Sequence, residues 1–335
     1  MIKGGREAFL PTFESMLKPL VLPLLRQEGQ EAEENTVAPR APMPPSHRSF
    51  GLCVCIDVLE HCGTAGRLSV FSALLPALMR GCHDVVSSIR QACAYGLGVA
   101  AELGGEEMDS ESPEALRLLL ALVAQGRDSD EEDLEIASVT DNAISAAFRV
   151  IFGRLPVLAA SFTGHPASDI SEASMHLRPV LSSLLSELPL KADVEEGHDC
   201  HRRIVNLALA KDELLLGGSD GYHVAELVSA MAGMMSYQPS PREEQGEADE
   251  WESCRRACGE SCRLDCGQAE SEDEVWARQL VDRETRETAE KVVLALKEAF
   301  PAAFGKAWAG IGVEKQRALQ MVTSSIPPYG AQRRR

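Results

Sequence analysis

RLSVFSALLPALMRGCHDVVSSIRQACAYGLGVAAELGG, residues 67–105, is the stretch that decides the fold. Apolar side chains recur in it every three or four residues, which is the spacing of one face of an α-helix. This spacing runs up to the polar turn at residues 81–84, resumes after it, and stops at Gly104 and Gly105, a pair that commonly ends a helix. The stretch therefore predicts two helices that fold back on each other as a pair.

The same unit of two helices recurs along the chain. The leading helices are predicted to start near residues 68, 113, 171 and 222, and the shorter steps lie close to the ~40–47 residue period of HEAT and armadillo repeats. The other predicted pairs are residues 7–26 with 50–62, 113–126 with 134–153, 171–188 with 194–216, and 222–236 with 276–300. Because each pair buries only one side, neighbours must stack to complete a core. The sequence predicts an all-α HEAT-repeat solenoid of about five helix pairs plus terminal helices.

Changes in composition divide this array. Residues 1–26 hold the first HEAT helix, residues 49–237 the main HEAT repeats, and residues 275–325 the C-terminal HEAT helices. Residues 27–48 are rich in Pro and Glu, and residues 238–274 are acidic and contain cysteines. Both have few core-forming side chains, so we expect disordered insertions between the helices of a pair. Residues 326–335 form a basic tail.

Charge and cysteine content restrict the class of partner. Acidic residues outnumber basic ones by 51 to 33, for a formal net charge of -18. Such a surface repels nucleic acid, so basic protein partners are expected and direct binding to nucleic acid is not. No stretch reaches the ~18 uninterrupted apolar residues of a membrane span. Ten cysteines without a secretory signal favour reduced thiols in a cytosolic or nuclear protein. Several of them lie in apolar helical patterns, where a thiol packs as a small apolar group; these are Cys53, Cys55, Cys62, Cys82 and Cys93.

Two glycine motifs resemble enzyme signatures but lack their structural context. Gly96 and Gly98 match a dinucleotide-binding fingerprint, which requires a preceding strand, whereas here they lie within a predicted helix. We expect them to allow close approach of a neighbouring helix. Residues 217–221, GGSDG, match a nucleophile elbow, but they follow a helix and are predicted to be a helix-stop loop. No catalytic residue and no cofactor are predicted, and the chain is not expected to be an enzyme.

A regular cysteine series is the most metal-like feature. Its members are Cys254, Cys258, Cys262 and Cys266. On a helix the first and last thiols would lie ~18 Å apart, too far for one zinc ion, although a non-helical loop could fold around one. The sequence assigns no metal site, and a metal or redox protein remains a minor alternative. A second cluster, His198, Cys200 and His201, is predicted to consist of exposed residues at a helix entry rather than ligands.

The helix pair of residues 67–105 carries residues at positions typical of HEAT repeats. Asp84 in its turn and Arg90 six residues later occupy the Asp and Arg positions of that pattern. The candidate structural residues of the motif are Asp84, Arg90, Tyr95, Gly96 and Gly98.

Residues 90–99, RQACAYGLGV, strongly resemble the R-Q-A-A-A-Y-G-L-G-V helix of the importin-β superfamily, specifically its importin beta-3 type. Upstream, CIDVLEHC at residues 55–62 is similar to that family's D-D-V-I-E-H-C. Downstream, VTDNAISA at residues 139–146 is similar to its A-T-E-N-C-I-S-A, and residues 289–293, 304–308 and 314–318 resemble its terminal helices.

This resemblance implies the C-terminal part of a nuclear transport receptor, which binds protein cargo for import through the nuclear pore. It implies phenylalanine-glycine nucleoporins and the GTPase Ran as partners, and a location in cytoplasm and nucleus, although the family's N-terminal Ran-binding repeats have no counterpart here. The family's concave face is lined by the second helix of each pair, which makes Glu102, Glu135, Glu195 and Glu196 candidate cargo-facing acids. A general HEAT scaffold, of the phosphatase regulatory or adaptor type, is the alternative; it would share the helix pairs but not the Tyr95 to Gly98 helix.

Overall fold

The computed structural model describes residues 6–25, 43–128, 133–163, 170–237 and 280–324. Within these ranges every regular element is helical, which confirms the predicted all-α solenoid class. The α-helices are α1 Arg6–Thr12, α2 Lys18–Val21, α3 Pro45–His61, α4 Gly63–Gly81, α5 Ser87–Leu103, α6 Ser112–Arg127, α7 Leu134–Gly153, α8 Leu155–Thr163, α9 Ile170–Ser186, α10 Val194–Leu209, α11 Glu213–Leu216, α12 Val224–Ser236, α13 Arg283–Ala299, α14 Pro301–Gly310 and α15 Val313–Ser324. A π-helical turn, Phe13–Leu17, joins α1 to α2.

The chain divides into two compact units, Met1–Leu177 and Arg178–Arg335. In the first unit α4 packs against α5 and α6 packs against α7, so these are the two pairs expected from residues 67–153. The second helices also stack, α3 on α5 and α5 on α7. Leu78, Leu97 and Phe148 are fully buried between these layers. Burial of such side chains contributes about 1.5–3 kcal/mol each, which is the main term that holds the pairs together.

In the second unit α12 is the central helix. It packs against α13, α14 and α15, while α10 packs separately against α13. The apolar face of α12 is completely enclosed, with Leu227, Val228 and Met231 at 0% exposure. The last two helices, α14 and α15, therefore pack onto α12 and α13.

The predicted single helix over residues 194–216 is wrong. α10 ends at Leu209, and Lys211 adopts a left-handed backbone conformation with φ 58°. The Asp212 carboxylate then accepts a hydrogen bond from the amide of Leu215 at 2.8 Å and caps the short α11. A side chain that caps a new turn competes with continuation of the old helix, which explains the break.

Other boundaries also differ from the prediction. α3 begins at Pro45, inside the segment expected to be an insertion, because proline is well suited to the first turn of a helix. α8 follows α7 directly and was not predicted. Residues 27–42 and 238–274, the basic tail and the cysteine series lie outside the described residues.

No single helix in the described ranges is both long enough and apolar enough to cross a membrane. The pair Leu134–Gly153 and Leu155–Phe162 meets the length and composition criteria only jointly, with a bend of 84° between its members.

Candidate protein-interaction surface

A chain of polar contacts links the three stacked second helices of the first unit. Tyr95 in α5 donates a hydrogen bond from its hydroxyl to Glu60 of α3 at 2.8 Å. The guanidinium of Arg149 in α7 lies over the Tyr95 ring, 5.3 Å from its centroid, and Arg149 Nε lies 3.9 Å from a carboxylate oxygen of Glu102 in α5. We call these four residues the inter-helix polar chain. These contacts connect α3, α5 and α7.

The two glycines of this helix allow the close packing that was predicted for them. A β-carbon on Gly98 would lie 2.8 Å from Cδ of Arg149 and 3.1 Å from Cα of Ala146 in α7. A β-carbon on Gly96 would lie 2.6 Å from Leu78 and 2.8 Å from Ile56. All four distances are shorter than van der Waals contact, so only glycine fits at these two positions without movement of the neighbours. Gly96 and Gly98 lie inside α5, where no strand-to-helix phosphate loop exists.

Asp84 has a partner that the sequence pattern did not indicate. Its carboxylate pairs with Arg48 of α3 and accepts a hydrogen bond from the amide of Val86 at 3.0 Å. Arg90 instead donates to the backbone carbonyl of Asp84 at 2.8 Å. Two arginines therefore stabilise the turn: Arg48 pairs with the side chain of Asp84, and Arg90 binds its backbone carbonyl. Arg48 was missed because it lies in the segment predicted to be an insertion.

The candidate acids of the first unit lie at opposite ends of the stack. Glu102 is near the C-terminus of α5, half-exposed beside Arg149 of α7. Glu135 is exposed in the first turn of α7, behind the capping carboxylate of Asp133. Arg149 follows Glu135 by fourteen residues, or ~21 Å along a helix. The structure therefore does not bring Glu102 and Glu135 together.

The other two candidate acids belong to the second unit. Glu195 is exposed in the first turn of α10, but Glu196 is only 6% exposed. The amide of Glu196 donates to the capping carboxylate of Asp193 at 3.1 Å, and this cap positions the first turn of the helix. A partner would reach Glu195 and little of Glu196.

The prediction that Cys200 and His201 are exposed is wrong. Cys200 is 1% exposed and His201 is completely buried. His201 Nε2 accepts a hydrogen bond from the amide of Leu190 at 3.0 Å, and Nδ1 donates to the carbonyl of Leu280 at 2.7 Å. Burial, which disfavours the charged ring, lowers the pKa of His201 to about 4. Two hydrogen bonds satisfy both nitrogens of the neutral imidazole. His201 therefore connects the backbone at Leu190 to the backbone at Leu280 and has a structural role.

Residues 217–221 form the predicted helix-stop loop. Gly217 ends α11 with φ 78°, a left-handed conformation that glycine adopts without strain. Arg178 donates to the Gly217 carbonyl at 2.6 Å and its guanidinium lies over the ring of Tyr222, 5.2 Å from the centroid. The loop is a packed junction, and its preceding element is a helix rather than the strand that a nucleophile elbow requires.

Three of the five cysteines predicted to pack as apolar groups are buried, namely Cys55, Cys82 and Cys93, whereas Cys53 is exposed and Cys62 is half-buried. Burial raises the pKa of both Cys55 and Cys82 to about 12, so these side chains are unreactive thiols. No group of three or more metal-ligating side chains occurs in the part of the chain that the structure describes.

The sequence did not predict the two polar partners of this helix layer, Glu60 and Arg149. Arg149 is a single charge within the apolar run AAFRVIF and is only 6% exposed. A lone charge in such a run indicates a buried partner, because an unpaired buried charge is costly. Glu60 falls inside the quoted family-like stretch, but nothing local indicates that Tyr95 would be its partner.

Comparison with known proteins identifies relatives of the chain. No protein-family model matches it. Importin-4 of Mus musculus is 30% identical over 193 residues, which cover 58% of this chain and 14% of that protein. Importin-4 of Homo sapiens is 29% identical over 193 residues, with the same coverage of 58% and 14%. The matched region thus spans about a seventh of the length of these curated relatives.

Among solved structures, the crystal structure of an engineered protein is 16% identical, with a TM-score of 0.29 over 92% of this chain and 99% of that one. The relationship therefore rests on the sequence matches to Importin-4 and on the motifs of residues 55–62, 90–99 and 139–146. Assignment to the importin beta-3 type stays a prediction. The chain is a distant relative of the importin-β superfamily.

Proposed function

We propose that this chain is the C-terminal, cargo-binding part of a nuclear transport receptor, a non-enzymatic protein that acts in cytoplasm and nucleus. The observation that carries the proposal is the match to Importin-4 over 193 residues, on a fold of stacked helix pairs. Phenylalanine-glycine nucleoporins and Ran are proposed as further partners on the same family grounds. The match to Importin-4 also favours a transport receptor over the general HEAT scaffold.

The proposed cargo is a basic protein segment. The net charge of -18 attracts cations, and Glu102, Glu135 and Glu195 offer carboxylates at the surface. Glu102 already lies near Arg149, so Glu135 and Glu195 are the freer acceptors. Glu196 is excluded from this set because its side chain is buried.

Glu135 lies ~21 Å along α7 from Arg149, the residue beside Glu102, and this spacing sets the length of a segment that would reach both acids. An extended peptide advances ~3.4 Å per residue, so a span of ~21 Å corresponds to about six residues. A cargo segment with two basic clusters about six residues apart would match this spacing.

The test is a titration of the purified chain with a lysine-rich peptide and with a neutral peptide of the same length, at low and at moderate salt. We expect the basic peptide to bind preferentially at low salt and to weaken as salt rises, since exposed charges are screened beyond ~10 Å at 0.1 M. Equal affinity for the two peptides, or no binding at low salt, would remove cargo recognition from this chain.

A further inference from the structure

Three large apolar side chains are exposed at one edge of the first unit. Phe50 in α3, Val85 in the turn before α5 and Leu134 at the start of α7 are 57%, 91% and 73% exposed. We call these three residues the apolar row. Single exposed apolar side chains are common on soluble proteins, whereas a contiguous set of them marks an interaction surface. The cargo acids do not account for these apolar positions.

The register of the stacked helices places Val85 and Leu134 side by side. A β-carbon on Gly98 of α5 would lie 3.1 Å from Cα of Ala146 in α7. A second contact, nearer the C-terminal ends of both helices, shows that they run in parallel. Val85 precedes Gly98 by thirteen residues and Leu134 precedes Ala146 by twelve, so both lie at the same end of the stack. The axes of packed helices are ~8–10 Å apart, and this distance sets the spacing of the two side chains.

Phe50 extends the row on the other side of Val85. Arg48 of α3 pairs with the carboxylate of Asp84, the residue before Val85. Phe50 follows Arg48 by only two residues, so it lies close to the same turn. The N-terminal parts of α3, α5 and α7 are therefore neighbours, and the row extends across all three helices.

Packing within the first unit does not explain the two most exposed members of the row. Val85 directly precedes Val86, the N-cap of α5, and an apolar residue at that position often packs against the first turn of its helix. Val85 has no such packing role, because 91% of it is exposed. Leu134 is the first residue of α7, and the cap of that helix is supplied by the neighbouring Asp133. Both apolar side chains are therefore accessible to a partner.

A carboxylate lies between these two apolar side chains. Glu135 precedes Ala146 by eleven residues, which is three full helical turns plus about 20°. Because Ala146 contacts α5, the side chain of Glu135 also leaves α7 on the side that faces α5. Glu135 is thus placed between Leu134, its neighbour in sequence, and Val85 at the start of α5.

The charge at this end of α7 is negative. Asp133 and Glu135 are both exposed and flank Leu134 in the sequence. Asp133 accepts hydrogen bonds from two amides of the first turn and keeps its negative charge. Two arginines of the neighbouring turn, Arg48 and Arg90, both bind the aspartate of that turn. A cation of a partner would therefore be attracted to the surface beside Leu134.

We propose that the apolar row is a cargo subsite that binds a segment with two apolar side chains three positions apart and a lysine or arginine between them. This inference rests on the proposed import function and adds the apolar part of the recognised segment. One apolar side chain packs on Val85, the other packs on Leu134, and the basic side chain pairs with Glu135. In a polyproline II conformation, side chains three positions apart lie on the same side, ~9 Å from each other, which matches the spacing of the helices. Phe50 adds apolar area beyond Val85.

Two other occupants fit the surface less well. A second copy of this chain also carries a net charge of -18, so it would be repelled by the acids beside Leu134. A neutral apolar segment would cover Glu135 without pairing its carboxylate, and burial of an unpaired charge is costly.

The experiment measures binding of the full chain to three fluorescein-labelled nonapeptides by anisotropy at low salt. Their cores are Leu-Lys-Ser-Leu, Ser-Lys-Ser-Ser and Leu-Gln-Ser-Leu, each flanked by serine and glycine. The second core keeps the charge without the apolar side chains, and the third keeps the apolar side chains without the charge. We expect the first peptide to bind most tightly, the second about tenfold more weakly and the third about two- to fivefold more weakly.

Two variants separate the apolar contact from the charge. Leu134→Ser should weaken the two leucine peptides about three- to tenfold and leave the peptide without leucine unchanged. Glu135→Gln should weaken the two lysine peptides about two- to fivefold and leave the glutamine peptide unchanged. Val313→Ser is the matched control and should change none of them, because Val313 is also the first residue of its helix and is 63% exposed. Unchanged thermal unfolding shows that each variant is folded.

Equal binding of the first two peptides, or equal effects of Leu134→Ser and Val313→Ser, would overturn the proposal. Self-association of the natural chain that Leu134→Ser abolishes, measured by sedimentation, would assign the row to a second copy and would overturn it too. If a lysine-rich peptide binds but leucines add nothing, the apolar subsite fails and the proposed import function stands. If the lysine-rich peptide itself does not bind at low salt, the import function fails, so the two failures are distinguishable.

Discussion

His201 Nδ1 in α10 donates a hydrogen bond to the carbonyl oxygen of Leu280, 2.7 Å away in space and 79 residues later in the sequence. The other ring nitrogen accepts from the amide of Leu190 at 3.0 Å. Both bonds require the neutral ring with its proton on Nδ1. A single buried imidazole therefore holds the chain where it leads into α13, whose N-terminal cap is the neighbouring Asp282.

The buried, neutral His201 predicts that the free energy of unfolding falls as the pH is lowered. The pKa of His201 is about 4 in the folded protein and ~6.5 in an unfolded chain, so only the unfolded state takes up a proton between these values. The contribution of His201 is complete above pH 6.5 and is lost as pH falls towards 4. Lowering the pH from 7.5 to 5 should therefore lower the free energy of unfolding by about 2 kcal/mol through His201 alone.

Denaturant unfolding at both pH values, on the natural chain and on His201→Asn, measures this effect. The variant cannot titrate, so its stability should change less with pH, even if it is less stable throughout. Parallel pH dependences for the two proteins would contradict a neutral, buried His201.

Gly98→Ala should destabilise the first unit by about 1–3 kcal/mol, because its β-carbon would be forced against the backbone of Ala146 and the stem of Arg149. Gly305→Ala is the matched control, since a β-carbon in the middle of α14 meets nothing within 4 Å. That change should stabilise by about 0.5–1 kcal/mol through helix propensity. Thermal unfolding of the two variants checks the signs, and a loss of stability in both would remove the packing argument.

The carboxylate of Asp84 should couple energetically to Arg48 and not to Arg90. Arg48 contacts the carboxylate directly, whereas Arg90 donates to the Asp84 backbone carbonyl, which Asp84→Asn leaves in place. A double-mutant cycle of Asp84→Asn with Arg48→Met should give a coupling of about 1 kcal/mol, and the cycle with Arg90→Met close to zero. A larger coupling with Arg90 than with Arg48 would show that Arg90 is the main partner of the Asp84 carboxylate.

Neutralising the exposed cargo acids should weaken binding of a lysine-rich peptide without loss of stability. Glu135→Gln and Glu195→Gln are each expected to reduce affinity about two- to fivefold at low salt, with the difference disappearing as salt rises. Glu314→Gln, an exposed acid in the first turn of α15, serves as the control for a change of one unit of charge. If all three substitutions act alike, binding reflects net charge and not a defined surface.

Much of the fold could be predicted because it depends on local periodicity. The helix pairs of residues 67–153 and the stop at Gly217 follow from apolar spacing and from glycine at helix ends. The break at Lys211 was missed because apolar spacing continues through it, and the capping by Asp212 depends on a choice between two local hydrogen-bond patterns. The predicted exposure of His201 was wrong because the position of a residue on a helix does not show which face of that helix another segment covers.

The sequence by itself determined that this chain is a set of paired helices, acidic overall, with glycines where two helices approach most closely. These properties depend on side-chain spacing, on charge and on the absence of a β-carbon in glycine, all of which can be read directly from the sequence. Only the tertiary structure decided that Glu60 meets Tyr95, that Arg48 meets Asp84, and that His201 is sealed against Leu280. Each of these contacts joins residues 35 or more positions apart, and their partners are set by how helix faces pack and not by any local pattern.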